Sequence, residues 1–299
     1  DKLWRWSVDH KWDFWREIWD YGGVLGEPGT RVLLDAERMP GARWFPDASL
    51  NFAQNLLERR RPDDDGDALV FWGEDKVQRR LSHAALHAVA SRVTAALAAH
   101  GIATGDRIAA YMPNMPETIV AMLGTTARGA IWSSCSPDFG VQGVLDRFGQ
   151  IEPRVLFTVD GYWYNGKPVS IVDKVTEIVA RLPTVERVVV VPYLASSGGP
   201  AADHARIRHA LPWDTWLAPF LAGPIDYVQL PFDHPLYILY SSGTTGVPKC
   251  IVHGAGGTLL QHLKEHLLHG DLTRDDRIFY FTTCGWMMWN WLVSALAVG

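Results

Sequence analysis

The chain has 299 residues, 47% of them hydrophobic and 20% charged, with a formal net charge of −5. That balance excludes a disordered, collagen-like or coiled-coil protein, and it gives no general attraction to nucleic acid or anionic lipid. Three cysteines, Cys135, Cys250 and Cys284, are too few and too far apart for a disulfide framework or a Cys-x-x-Cys metal site, so a reducing, cytoplasmic compartment is expected.

Residues 1–20 carry charges throughout and lack the apolar core of a signal peptide. Trp12, Trp15 and Trp19 recur at helical spacing, with Ser7 and Asp9 as candidate caps, and predict a helix packed on the main body. Arg59-Arg60-Arg61 followed by Asp63-Asp64-Asp65 reads as a solvated loop whose charges cancel. Regular alternation begins at residue 69, so residues 1–68 are read as an N-terminal extension and 69–299 as part of one large domain. Residues 69–72 and 77–81 flank a polar turn and predict a hairpin. Ser82 then caps a helix whose apolar positions Leu86, Val89, Val93 and Leu97 fall at three- and four-residue steps, ending near Gly101. After a strand at 107–112, Asn114 and Glu117 resemble a capping box, with Pro116 in the first turn of a helix that runs to Gly129. Apolar strands at 131–134, 155–159 and 188–191 alternate with helical segments at 140–150 and 170–182. The expectation is an α/β fold built on a helix-covered, mostly parallel sheet. Residues 195–200 form a loop by composition. The uncharged stretch 278–299 is divided by Thr282, Thr283, Cys284 and Gly285. It predicts a buried strand and then a buried helix, not a membrane span.

The chemistry is concentrated after residue 235. An apolar strand at 236–240 leads into Ser241-Ser242-Gly243-Thr244-Thr245-Gly246-Val247-Pro248-Lys249, and a helix is expected at about 255–269. Glycines let backbone N–H groups approach an anion, hydroxyls donate further bonds and lysine adds charge, so this composition suits a polyphosphate cradle. A threonine hydroxyl can assist a magnesium ion, which prefers hard oxygen ligands and keeps several waters. The spacing is not that of a Walker A loop: Gly246 follows Gly243 too closely, and Val247 and Pro248 separate it from Lys249. His262, His266 and His269 share one helical face but lack the order of a zinc-protease motif, and they read as a partly exposed helix face. Cys250 and Cys284 flank the segment and read as small packing residues.

The run Tyr240–Lys249 resembles the phosphate-binding signature of the adenylate-forming enzymes, the superfamily of the acyl-CoA synthetases, with Ser241 where many members have threonine. Three further stretches are similar to the acetoacetyl-CoA synthetase family: residues 39–46 with 50–52, residues 131–140, and residues 281–291. The resemblance implies the large N-terminal domain of such enzymes, without their mobile C-terminal lid, its catalytic lysine, the glutamate that shares magnesium or the aspartate that holds the ribose. It implies ligation of acetoacetate to coenzyme A with ATP, through an acyl-adenylate that releases AMP and pyrophosphate. Acetate or propionate as substrate, and a non-catalytic nucleotide-binding fragment, remain as alternatives. By resemblance, Ser241, Ser242, Gly243, Thr244, Thr245, Gly246 and Lys249 hold the ATP phosphates, Thr244 is nearest Mg2+, and Lys249 steadies departing pyrophosphate. Trp286, Met287 and Met288 would face the acyl group, or else pack a strand-to-helix junction. Lys167, beside Asn165 and Gly166, would meet the coenzyme A phosphates, or else be an ordinary exposed lysine. The implied partners are these small molecules, with no nucleic acid and no membrane span.

A methyl group at residue 243 would block close approach of backbone to phosphate. Gly243→Ala is therefore expected to raise the KM for ATP of the full-length protein by about tenfold or more, on the order of 1.4 kcal/mol. An unchanged KM would count against the cradle.

Overall fold

Seven strands build the central sheet: β1 (Arg107–Tyr111), β2 (Ile131–Cys135), β3 (Val155–Val159), β4 (Arg187–Val191), β5 (Ala210–Pro212), β6 (Pro235–Ser241) and β7 (Lys249–Gly254). The structure, a computed structural model, describes residues 2–60, 63–201, 203–241 and 246–299. In space the strands run β5-β4-β3-β1-β2-β6-β7. Every neighbouring pair is parallel except β6 and β7, which are antiparallel. Every residue of β2 and β3 is buried, as expected of parallel strands covered on both faces. Helices Pro116–Ala127, Val141–Ile151 and Val172–Ala180 make the crossovers from β1 to β2, β2 to β3 and β3 to β4. The chain leaves β1 on one side for β2 and returns on the other for β3. Such a reversal opens a crevice at the carboxyl ends of the strands. This is the α/β architecture expected from the alternating pattern.

Local signals explain most element boundaries. Ser82 caps helix His83–Ala99 by accepting from the Ala85 N–H at 3.2 Å. Gly124 lets that helix lie close to Pro116–Ala127, since a Cβ there would meet Val93 Cγ1 at 2.5 Å. The expected capping box at Asn114 does not form. Met115 is the N-cap, Glu117 pairs with Arg79 at 2.6 Å, and Asn114 Oδ1 accepts from the Trp289 indole at 2.9 Å. At the N-terminus two helices, Lys2–Asp9 and Lys11–Tyr21, meet at His10, which precedes the second without a side-chain cap. Trp19 is buried with Phe45 and Phe232 in an aromatic cluster whose centroids are 5.3 and 4.9 Å apart.

Two other expectations are corrected. Arg59 and Arg60 are half-buried rather than solvated: Arg59 donates to Gly23 O at 2.6 Å and Arg60 to Arg274 O at 2.6 Å, tying the segment down. Residues 278–283 form no strand, and Phe279 and Phe281 are 83% and 90% exposed, because no described strand lies alongside to pair with them. The chain becomes helical only at Met287–Ser294. No helix among the described residues is long and apolar enough to cross a membrane.

Asn51 is the main polar joint of the N-terminal segment. Fully buried, it caps helix Phe52–Leu57 by accepting from Gln54 N–H at 3.1 Å. Its amide also donates to the carbonyls of Thr126, Ala127 and Val228 at 3.2, 3.1 and 2.9 Å. Asn51→Ala removes the cap and one bond to each of three carbonyls, of which Thr126 O and Ala127 O keep the N–H groups of Gly129 and Val228, so a loss of roughly 1–2 kcal/mol is expected. A lower urea midpoint at unchanged m-value would show it; an unmoved midpoint would mean the carbonyls find other partners.

Candidate active site

The glycine and hydroxyl-rich segment lies in sequence between β6 and β7, whose ends pair, Ser241 with Lys249 and Tyr240 with Cys250. Ser242, Gly243, Thr244 and Thr245 lie outside the described residues. Ser241 is half-buried at the end of β6, while Gly246 and Lys249 are exposed. Gly246 has φ +106°, a conformation that favours glycine. Gln150, on helix Val141–Ile151, donates to Pro248 O at 2.8 Å and anchors the returning limb. Strand β7 was not anticipated from the sequence, although Ile251 and Val252 carry its β-branched signal. Cys250 within it is exposed rather than packed. Burial raises the thiol of Cys135 to about 12, and those of Cys284 and Cys250 also lie above their ordinary value, so none is an activated nucleophile.

Consecutive serines of β2 hold both limbs of the site. Ser133 Oγ donates to Ile238 O at 2.9 Å and lies 2.9 Å from the Tyr240 hydroxyl, fixing β6 just before the turn. Ser134 Oγ donates to Cys284 O at 2.6 Å, fixing the start of the Gly285-Trp286-Met287-Met288 segment. The loop after β2 is held by Tyr111, whose hydroxyl lies 2.8 Å from Pro137 O and 2.6 Å from Phe139 O. Arg147 places its guanidinium 4.4 Å from the Phe139 ring centroid and 5.7 Å from that of Tyr240. Burial pushes the Tyr111 and Tyr240 hydroxyls well above their ordinary value, so both stay protonated donors. These positioning residues were missed from sequence. The available signal was a pair of hydroxyl side chains inside an otherwise apolar strand.

Met287 and Met288 line a cavity of about 670 Å³ together with Val252 and Gly254 of β7, and Thr258 and His262 of helix Ala255–Lys264. The cavity thus adjoins the strand and helix that follow the turn. Trp286 is not part of its lining and is 66% exposed as N-cap of Met287–Ser294. Lys167 is apart from the cavity, exposed on the hairpin Gly161–Tyr164/Lys167–Ser170. The Asn165 and Gly166 N–H groups of its turn are each taken by a Glu74 carboxylate oxygen at 2.7 Å.

The histidine face is not partly exposed as expected: His262 and His266 are buried, and only His269 faces solvent. Burial first, then His266 and His253, lower His262 to about 3, so its imidazole is uncharged. No group of three or more His, Cys, Asp or Glu that could hold a metal occurs among the described residues.

The fold and site define the class. Residues 58–299 match the model of the family described as AMP-binding enzyme, and residues 1–56 match the model for the acetyl-coenzyme A synthetase N-terminus. The chain belongs to the AMP-binding enzyme family. An acetoacetyl-coenzyme A synthetase of Rhizobium meliloti is 57% identical over 98% of this chain and 44% of its own length. An acetoacetyl-CoA synthetase of Macaca fascicularis is 44% identical over 100% of this chain and 45% of its own length. The solved structure of the acetoacetyl-CoA synthetase from Streptomyces lividans matches with a TM-score of 0.91 at 45% identity, over 99% of this chain and 44% of that one. The chain therefore spans a little under half the length of these relatives.

The neutral state of His262 has a pH signature. Its value is about 3 when folded against an ordinary 6.5, so between those limits the unfolded chain binds the extra proton. Stability contributed by this group is complete above about pH 6.5 and is lost as pH falls towards 3. His266 is lowered in the same direction, chiefly by burial. The urea midpoint should decline from pH 7 to pH 4.5 (roughly the start of carboxylate protonation), and the decline should be shallower in His262→Leu. Identical acid limbs would show that His262 is already protonated in the folded protein.

Proposed function

We propose that the full-length protein containing this chain ligates acetoacetate to coenzyme A, using ATP and releasing AMP and pyrophosphate. In the first half-reaction a carboxylate oxygen attacks the α-phosphorus, and the bond to the β-phosphate oxygen breaks as pyrophosphate leaves. In the second, the coenzyme A thiol loses its proton and attacks the acyl carbon, and AMP departs. The observation that carries this reading is the pair Ser133 and Ser134. Adjacent residues on one buried strand tie down both the phosphate turn and the Gly285–Met288 segment. The names of the relatives supply the acid.

Within this reading, Ser241 through Gly246 and Lys249 cradle the β- and γ-phosphates with backbone N–H groups, hydroxyls and one ammonium. Their charge stabilisation is aimed at pyrophosphate, the group that gains negative charge as the reaction proceeds. Thr244 would offer its hydroxyl to Mg2+, which supplies charge neutralisation on the phosphates. Met287 and Met288 shape the space for a short acyl group with flexible, polarisable side chains. Lys167 contacts the coenzyme A phosphates as a point charge on its ammonium, because the neighbouring turn amides are already engaged. Residues 1–68 serve as an extension and 69–299 as part of the large domain, with a mobile domain completing the site. A reducing, cytoplasmic setting suits three free cysteines.

The match of residues 1–56 to an acetyl-coenzyme A synthetase N-terminus favours one second reading, activation of acetate or propionate. Carboxylate-dependent exchange of labelled pyrophosphate into ATP separates the two. Acetoacetate is expected to support it best, acetate doing so instead would install the second reading, and no exchange with any acid would leave only nucleotide binding. In the same assay Met288→Ala should change the order of preference among acids at an unaltered KM for ATP. A preserved order would reduce Met288 to packing.

A further inference from the structure

Of the described side chains that line the cavity beside Met287 and Met288, one has a fully buried polar atom with nothing to bond. His262 is 7% exposed and lines the cavity; its Nδ1 is fully buried without a partner, and no bond to its Nε2 occurs among the described residues, which leaves Nε2 as the ring nitrogen open to the cavity. Other buried polar side chains nearby also have unpaired atoms, namely His266, Tyr237 and Asn290, but none of these lines the cavity. His266 at least engages its Nε2, at 3.0 Å from both Trp291 O and Ser294 Oγ. Glu265, which shares the lining, is held by Lys264 and Gln261, each at 3.0 Å. A buried N–H without a partner is costly, and native proteins leave few of them.

We propose that His262 determines acyl specificity by donating an imidazole N–H hydrogen bond to the 3-oxo oxygen of a short β-keto acid whose tail lies in this cavity. The inference rests on the adenylation reading above and assigns its substrate selectivity to one side chain. Acetoacetate and butyrate have the same number of carbons and nearly the same shape, so the two methionines, which read size, cannot separate them. They differ in a carbonyl where butyrate has a methylene. A site built around a donor rejects the analogue that lacks the acceptor far more strongly than an apolar pocket rejects a change in size, because the donor is then left buried and unpaired. The charge state also matters. An imidazolium at this position would attract the carboxylate end of the acid and reverse it in the site. Burial and the flanking His266 and His253 keep the ring neutral, so it attracts a carbonyl without competing for the carboxylate. Glu265 in the same wall further disfavours the reversed orientation.

The test is acid-dependent pyrophosphate exchange by the full-length protein with acetoacetate and with butyrate, read as the ratio of their kcat/KM values. The wild-type ratio should be about 100 or more. His262→Leu should lower that ratio at least about tenfold, and His262→Gln, whose amide keeps an N–H donor, should retain most of it. A wild-type ratio near one overturns the inference without any variant, and so does a soluble His262→Leu protein whose ratio is intact. If the leucine variant does not fold, His262→Gln decides, because a collapsed ratio despite a retained donor also overturns it. Exchange with neither acid in the wild type sinks the adenylation reading itself, a result distinct from exchange without selectivity.

Discussion

The end of β6 depends on a hydroxyl in its seam with β2. Among the described residues the backbone pairing of these strands is recorded at Trp132 opposite Tyr237, well before the turn begins. Beyond that point Ser133 takes over. If it donates to Ile238 O, its own oxygen is free to accept from the Tyr240 hydroxyl, so one side chain joins the two strands twice. Leaving either group unpaired at this depth would cost on the order of 1–3 kcal/mol, which makes the seam a defined joint rather than a sliding one. Ser134, one residue further along, takes the Cys284 carbonyl. Side chains alternate along a strand, so neighbouring residues are suited to grip different elements. A short serine pair therefore ties the end of β6 and the start of the Gly285–Met288 segment to one strand.

The N-terminal segment bears on the same site through packing. Trp19, Phe45 and Phe232 form one aromatic cluster, and Phe232 lies so close to Gly256 that a Cβ at residue 256 would clash with its ring. Phe232 O also accepts from Gly256 N–H at 2.8 Å. Gly256 is in the first turn of Ala255–Lys264, the helix that carries Thr258 and His262 into the cavity wall. The N-terminal helix thus fixes where that helix starts, and through it the wall against which an acyl group would rest. Aromatic pairs contribute about 0.5–1.5 kcal/mol beyond their buried area, enough to hold the helix in one position.

Much of this was legible in the sequence, and what was not has a common cause. Strands β1 to β4 and their crossover helices show as apolar runs and as three- and four-residue periodicity, because both faces of the sheet are covered and the pattern is uninterrupted. Ser82 is legible as a cap because its partner is three residues away. Asn114 was misread because its oxygen serves Trp289, far along the chain, and no local spacing reports that. Asn51 gives no local signal of its role as a joint, because its three carbonyl partners lie on other segments. The polar ties at Ser133 and Ser134 are long-range for the same reason. Residues 278–283 have the composition of a buried strand, but a strand needs a partner for its backbone groups, and composition does not supply one. The burial of His262 comes from the elements packed on its helix, which its own helical periodicity cannot see.

The sheet also changes character from one side to the other, and the site exploits the change. At β2 and β3 every side chain is buried, while at β7 Lys249, Cys250, Ile251 and Val252 are all exposed, so neither face of that strand is covered among the described residues. Polar ties with fixed geometry belong where packing is dense, since a hydrogen bond keeps its length only if its donor and acceptor cannot move. The serines, Tyr111 and the base of the turn are on that dense side. Beside the bare margin is Met287, 43% exposed, which shares the cavity lining with Val252 of β7. On the proposed reading, a flexible thioether there would adapt to an incoming acid, while the buried imidazole of His262 would check its chemistry. On the same reading, rigidity toward the phosphates, where charge must be met at fixed distance, and compliance toward the acyl group, where shape varies, would both follow from one gradient of burial across the sheet.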